Sequence, residues 1–452
     1  MFNIRDYGAV GDGMQLDSPA IQAAVDACAA AGGGTVFVPA GKYLCGTVHL
    51  KSHIHILIEK GAYLLGSTNL ADFDPREENP ANCEYQDPSH SYYHFSLFHA
   101  DNQEDIAITG FGEIDMQSVW DGDGRPDENG NRKWWRGAKI IAFKECREIV
   151  IRDLSMKNAT DLAVYVAGCE YVTISGLQIV SHIDGVSPDC CRNVTISDCI
   201  IDSADDAIVP KCSYTLGYLK AMENLTISNC VLRSNAAALK FGTETNSAFK
   251  NITVTGCTIC DTQLNGIAIQ SADGAIVEGI TISNMTLRNV GNPILIQVVN
   301  RARGPKPECE KIGQIRNIIL SDIIITGPYP ETFQATRAQF AWTHIDQDLT
   351  LKGIRHPLLI AGQPDSPIQN VTMSNVVFRA HGGGTVEDRD IQLKEVRDDY
   401  PGSTVFGNKF PTYGLYALNA DNLKLYNVEF TTEYPDARDE MILKNVTNFK
   451  RV

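Results

Sequence analysis

The 452-residue chain reads as an all-β protein, a right-handed single-stranded parallel β-helix with an N-terminal capping helix. Two observations predict it. The first is a degenerate motif: "CREIVIRDLSM" from Cys146, "CEYVTISGLQI" from Cys169, "CRNVTISDCII" from Cys191 and "MENLTISNCVL" from Met222. It returns as "FKNITVTGCTI" from Phe249, "VEGITISNMTL" from Val277, "IRNIILSDIII" from Ile315 and "IQNVTMSNVVF" from Ile368. Each copy alternates polar and apolar residues with period two, is rich in β-branched side chains, and has Asn, Asp or Gly at its corners, which is the signature of short strands. The second is spacing. The first six copies begin 23, 22, 31, 27 and 28 residues apart. Units of that length cannot bury an apolar face alone, but stacked coil on coil they share one core. The Leu-x-x-Leu-x-Leu pattern of leucine-rich repeats is absent, and a propeller needs longer blades.

The elements follow in order. "DSPAIQAAVDACAAAGGG" predicts the capping helix, with Asp17 or Ser18 as N-cap, Pro19 in the first turn, an Ala-rich body and a stop at Gly32 to Gly34. "GTVFVPAGKYLCGTVHLKSHIHILIEKGAYLLGS" begins the strand ladder. The central coils occupy residues 100–380, after a cap and first coils over 1–70. The last two repeat spacings widen to 38 and 53 residues, so long loops interrupt the later coils and are expected to wall a groove. Residues 381–452 return to strand alternation. With no Pro- or Ser-rich linker, residues 1–452 are read as a single domain.

Composition narrows the function. A content of 43% hydrophobic and 21% charged residues supports a large core, and no apolar run is long enough to span a membrane. A net charge of −16 argues against nucleic acid as a partner. The thirteen cysteines show no zinc-site spacing, and those in the repeats, such as Cys169, Cys191, Cys199, Cys230 and Cys257, read as buried free thiols of a reducing compartment. The opening "MFNIRDYGAVGDG" has no basic and apolar leader, so a cytoplasmic location is expected, unless a signal peptide has already been removed.

The residues that carry chemistry lie in "SHIDGVSPDCCRNVTISDCIIDSADDAIVPKC", Ser181 to Cys212. Asp184 and Asp205 are 21 residues apart, close to one coil, so Asp184, Asp205 and Asp206 should cluster across adjacent rungs about 4.8 Å apart. Ionised together at 4–5 Å they repel by a few kcal/mol per pair at an effective dielectric of about 20. Such a cluster persists because it holds a cation or because one carboxyl keeps its proton, and the latter suits acid-catalysed cleavage of a glycosidic bond. The plain alternative makes Asp205 and Asp206 turn residues that bond backbone amides.

These segments resemble glycoside hydrolase family 28, the polygalacturonases and rhamnogalacturonases, in a divergent bacterial exo-acting branch. "DYGAVGDG", "AIQAAVDACAAAGGGTVFVPAGKYLCGTVHLKS" and "EKGAYLLGS" match its N-terminal region; "HIDG" at His182 stands for Asn-Thr-Asp-Gly, and "ADDAIVPK" at Ala204 for Gly-Asp-Asp-Ala-Ile-x-x-Lys. The resemblance implies an inverting glycosidase that needs no cofactor or metal, in which Asp205 is the general acid and Asp184 with Asp206 hold the attacking water.

The departures point to specificity. Ala237 stands where the family has a catalytic-site histidine. Ala268 and Gln270 replace the Arg and Lys that bind the galacturonate carboxylate. A neutral sugar such as rhamnose, a pentose or a furanose, at the end of a plant-type or pectic oligosaccharide, is therefore the expected substrate. Binding candidates are His182, Lys211, Lys240, Glu244, Gln270 and Asn265, with Trp135 of "NRKWWRG" as a stacking face. His182 is taken to face the site because it precedes Asp184 by two residues. Lys240 and Glu244 could instead form an outward ion pair. "TRAQFAWTHIDQD" from Thr336 is expected to close one groove end, favouring exo-action. The spacing of His90, His94 and His99 lacks acids in a fixed pattern, so no metal site is expected there. Three rival readings share the scaffold: a galacturonidase with a rearranged carboxylate site, a lyase or epimerase, and a non-catalytic carbohydrate-binding solenoid.

Overall fold

The structure, a computed structural model, describes residues 1–77, 88–121, 136–327 and 354–452. Its strands wind into a parallel β-helix with three faces. On the first face, Ile149, Val172, Val194, Leu225, Ile252 and Ile280 stand in register on successive coils. On the second, Met156, Ile179, Ile201, Leu232 and Ile259 do the same. All are at most 1% exposed, so each repeat's alternation places one apolar row inward. The third face begins as a five-stranded parallel sheet, from Val48–His49 to Val186–Asp189. Single bridges from Val186 to Ile208 and from Ile208 to Leu239 carry it onward, and regular pairing resumes from Leu239 to Ile267 and Ile294.

The corner asparagines have a physical reason. Asn193, Asn224, Asn251, Asn317, Asn370 and Asn422 all sit at φ between 54° and 58°, a left-handed conformation that Asn tolerates better than most residues. Their amides then stack along the helix axis, Asn224 donating to Asn193 at 2.9 Å, Asn370 to Asn317 at 2.9 Å and Asn422 to Asn370 at 2.7 Å.

The capping helix spans Ser18–Ala30, and its buried face of Ile21, Ala24, Val25 and Cys28 packs on the first strands. Asp17 stands at the N-cap position, but its carboxylate accepts the N–H groups of Val10 and Gly11 instead of capping the helix. Ser18 likewise turns outward from the helix to accept the Gly46 N–H at 3.1 Å. The twelve described cysteines are free thiols, and all but Cys260 are buried. Among the described residues no helix is long and apolar enough to cross a membrane.

Residues 383–411 depart from the expected C-terminal coils. They leave the ladder, form two short 3-10 turns, and return along the third face before the strand Thr412–Tyr434. This excursion, and not a regular coil, reaches the site.

Candidate active site

The site forms where the second face turns into the third. Val186, Ile208, Leu239 and Ile267 are register partners there. Two residues before each stand Asp184, Asp206, Ala237 and Asn265. The coil is thus 22 residues at this point, and Asp206 lies over Asp184, not Asp205 as the 21-residue spacing suggested. The backbone links the column: the Asp206 N–H donates to Asp184 Oδ1 at 3.3 Å and the Ala237 N–H to Asp206 Oδ1 at 3.0 Å. Asp205 precedes the column by one residue and is the least buried of the three acids. Its carbonyl is pinned by the hydroxyls of Ser203 and Ser234. One carboxylate oxygen from each of the three lies within 4.8 Å of the others.

Two lysines balance these acids. Lys240 Nζ lies 2.7 Å from Asp206 Oδ2. Lys211 Nζ donates to Glu244 Oε2 at 3.0 Å and to the Gly242 carbonyl at 3.2 Å. Lys240 and Glu244 are therefore not each other's partners and do not face outward. Behind them Arg301 grips Asp273 through two nitrogens, at 2.9 and 2.5 Å, and approaches Glu244 Oε1 at 3.5 Å. The result is a buried chain of alternating charge, Asp273, Arg301, Glu244 and Lys211.

The electrostatics follow from burial and these neighbours. Burial, then the charges of Asp205 and Asp206, pushes the Asp184 carboxyl well above its ordinary range. Burial alone would discharge Lys240, but Asp206 foremost outweighs it and the ammonium is held. Burial works against Glu244 too, and Lys211 with Arg301 reverses it, so this carboxyl is held well below its usual range. Burial and its acid neighbours thus favour the protonated form of Asp184, while the paired cations favour the ionised form of Glu244.

These groups floor a cleft of about 490 Å³. His90 and Arg136 line it on one side, and Tyr400 to Val405 with Arg303 on the other. The second wall is anchored by long-range contacts: the Tyr400 hydroxyl lies 2.7 Å from Thr243 Oγ1, and the Gly402 N–H donates to Gln297 Oε1 at 2.8 Å. Asn265 and Gln270 also line the cleft, and Asn265 Oδ1 and Gln270 Oε1 are buried with no hydrogen-bond partner among the described residues.

Of the ten residues expected at the site, the three acids, Lys211, Lys240, Glu244, Asn265 and Gln270 line this cleft. His182 is absent from the described lining. The strand Gln178–Ser181 has ended before it, so the period-two argument that set it beside Asp184 does not apply. Its ring instead packs against Trp120 at 5.5 Å and meets Ser118 Oγ at 2.9 Å. Trp135, and the loop from Thr336 expected to close the groove, lie outside the described residues. His90, Arg136, Arg303 and Tyr400 were missed as cleft residues. The "DDYPGS" stretch around Tyr400 carries a turn signal, but nothing local ties it to the acids.

The sequence model described as Glycosyl hydrolases family 28 matches residues 28–387. The chain belongs to glycosyl hydrolase family 28. It is 28% identical over 304 residues to a protein of Vitis vinifera named a probable polygalacturonase, an alignment covering 64% of this chain and 61% of the grape protein. An exo-poly-alpha-D-galacturonosidase of Dickeya chrysanthemi is 22% identical over 83% of this chain and 71% of its own length. Among solved structures, the exopolygalacturonase of Thermotoga maritima superposes with a TM-score of 0.71, covering 95% of this chain and 91% of that one at 17% identity, a likeness of fold. Family membership makes this protein a glycosidase.

Proposed function

We propose that the protein is an exo-acting, inverting glycosidase that removes a terminal neutral sugar, such as rhamnose, a pentose or a furanose, from a plant-type or pectic oligosaccharide. Asp205, the least buried acid, presents a proton to the leaving oxygen, while Asp184 and Asp206 hold the water. The observation that carries this reading is the convergence of three carboxylates on a cleft floored also by orphaned amides. Buried unsatisfied amides in a cleft are matched by sugar hydroxyls, which donate and accept. The neutral-sugar assignment has a second support. Lys211 and Lys240 are already paired with Glu244 and Asp206, and Ala268 is buried in an apolar cluster with Leu359 and Tyr416. Among the described residues, both lysines of the floor are held by protein acids and are not spare for a sugar carboxylate. Exo-action is supported by the likeness to the Dickeya exo-poly-alpha-D-galacturonosidase.

Arg303 favours a second reading, a galacturonidase with a displaced carboxylate site. This residue is exposed, lines the cleft and has no carboxylate within 4.0 Å among the described residues. The grape and Dickeya relatives, named for galacturonate polymers, lean the same way. Inversion rests on the family resemblance, since the nearest acid oxygens are closer than the roughly 6.5–9.5 Å between carboxyls usual for inverting enzymes.

The test is proton NMR of wild type and Asp205→Asn on aryl glycosides and pectic oligosaccharides. Release of a neutral sugar as the inverted anomer, lost in the variant, is expected. Strong turnover of polygalacturonate sinks the neutral-sugar reading, a retained anomer sinks inversion, and equal activity of the variant removes Asp205 from its role.

A further inference from the structure

Away from the cleft, the outer side of the third face carries a second cluster. His49 and His99 are register partners on neighbouring coils, their ring centres 5.3 Å apart and their planes at 87°. His94 brings its ring to 4.5 Å from His99 and 6.3 Å from His49. Two carboxylates border the group, with Asp74 Oδ2 2.7 Å from His49 Nε2 and Glu77 Oε2 3.9 Å from His94 Nδ1. His99 is only 4% exposed, and its Nδ1 is buried with no hydrogen-bond partner among the described residues. The side chains of His49 and His94 are 46% and 42% exposed, so a small ion can reach them.

We propose that His49, His94 and His99 form a binding site for a transition-metal dication of the Zn²⁺ type. Three imidazoles on a tetrahedral ion, with metal–nitrogen bonds of about 2.0–2.1 Å, have ring centres roughly 5 Å apart. The separations of 4.5, 5.3 and 6.3 Å bracket that value. Imidazole nitrogen suits Zn²⁺, Co²⁺ and Ni²⁺, whereas Ca²⁺ and Mg²⁺ take oxygen ligands. Asp74 and Glu77 approach one nitrogen of His49 and one of His94, leaving the other free to ligate, which is the carboxylate–histidine–metal arrangement that orients metal-binding rings. The orphaned His99 Nδ1 is the third ligand, and water completes the set. The ring nitrogens are not yet gathered on one point, since the acid triad alone meets that condition within 4.8 Å among the described residues. Turning a ring about its Cβ–Cγ bond moves its nitrogens while its centre stays, and ion binding would require such turns.

His99 pairs with Ala142, Ala142 with Tyr165, and Tyr165 with Ser187, three coils away. At about 4.8 Å per coil, Ser187, three residues past Asp184, is offset from His99 by roughly 14 Å along the helix axis, which gives the ion no part in bond cleavage. It would tie Asp74, Glu77 and His94 to the third face, close in sequence to His90 of the cleft wall.

The site is tested by stripping the protein with EDTA and titrating Zn²⁺ calorimetrically, with Co²⁺ as a spectroscopic stand-in. Variants are His94→Gln and His49→Gln, with Asp205→Asn as a control for the acid triad. Wild type and Asp205→Asn should bind one Zn²⁺ per chain, and either histidine variant should lose at least about tenfold in affinity along with the tetrahedral Co²⁺ bands. Asp74→Asn should weaken binding by about 10- to 100-fold. No saturable binding by wild type, unchanged binding by both histidine variants, or loss confined to Asp205→Asn would each overturn the proposal.

Discussion

Lys240→Met is the most informative single perturbation of the cleft floor, because it keeps most of the unbranched side chain and removes the ammonium with its charge and hydrogen bond. The ammonium lies 2.7 Å from Asp206 Oδ2, and the two side chains are 12% and 4% exposed. At an effective dielectric of about 20, a pair at that distance attracts by roughly 6 kcal/mol. Against this stands the penalty of burying the ammonium, which the methionine relieves. Removing one partner of a buried pair usually leaves a net loss of about 3–5 kcal/mol. That is the expected destabilisation near neutral pH. Lys240 is held charged above its ordinary value, so its contribution is full throughout the neutral range and is lost only as pH rises through that raised value. Thermal melts from pH 4 to 9 measure this destabilisation. The pH dependence of kcat/KM is a separate check, since losing the positive charge beside Asp206 should move the limb for the ionised base to higher pH. A variant as stable as wild type at pH 7, with an unshifted profile, would refute the charge balance argued for this site.

Three further outcomes are expected. Asp205→Asn should lower kcat by about 10²- to 10⁴-fold, the usual worth of a general acid, with little change in melting temperature because this side chain is the least buried of the three. Tyr400→Ala should raise KM more than it lowers kcat, and Tyr400→Phe should isolate the share due to the hydroxyl contact with Thr243; an Ala variant with unchanged KM would remove Tyr400 from the binding surface. Asn375→Ala should destabilise by about 1–2 kcal/mol through its φ of 52°, beyond the two 2.9 Å amide bonds it loses to Asp322 and Asn427, whereas Asn375→Gly should restore the backbone part only. Urea unfolding of the pair separates the two contributions.

The fold was legible because its causes are local and repeated. Each "TIS" strand ends at a residue that tolerates a left-handed corner, so one short pattern fixes face, turn and coil length together. The same pattern held the correction to the acids. Cys169 and Cys191 are 22 residues apart, and applying that period to Asp184 arrives at Asp206. His182 failed for a related reason: alternation holds inside a strand, and Asp184 sits in a corner where it does not. The far wall had no such handle. Tyr400 meets Thr243 across 157 residues, and Gly402 meets Gln297 across 105. A loop that leaves a solenoid can return against any coil its length reaches, so its destination is decided by packing that no local period records.

The departures from the family pattern gain a common explanation once the ion pairs are in place. Ala237 has lost the histidine side chain, yet its N–H still fixes Asp206, and Lys240 supplies a positive charge to the same carboxylate from three residues on. Glu244 adds a negative charge, but Lys211 and Arg301 both answer it, and Asp273 answers Arg301. With Gln270 uncharged, the floor therefore offers oriented amides and hydroxyl-binding groups while its lysines are held by protein acids. A carboxylate entering at Gln270 would have to break one of those pairs or remain unpaired, at a penalty of several kcal/mol; a hydroxyl would break none. Restoring the cation with Gln270→Lys should accordingly improve binding of a uronic acid sugar and weaken that of a neutral one. If both affinities move in the same direction, the charge state of the floor does not set the choice of sugar, and the anchor must be sought at Arg303 on the opposite wall.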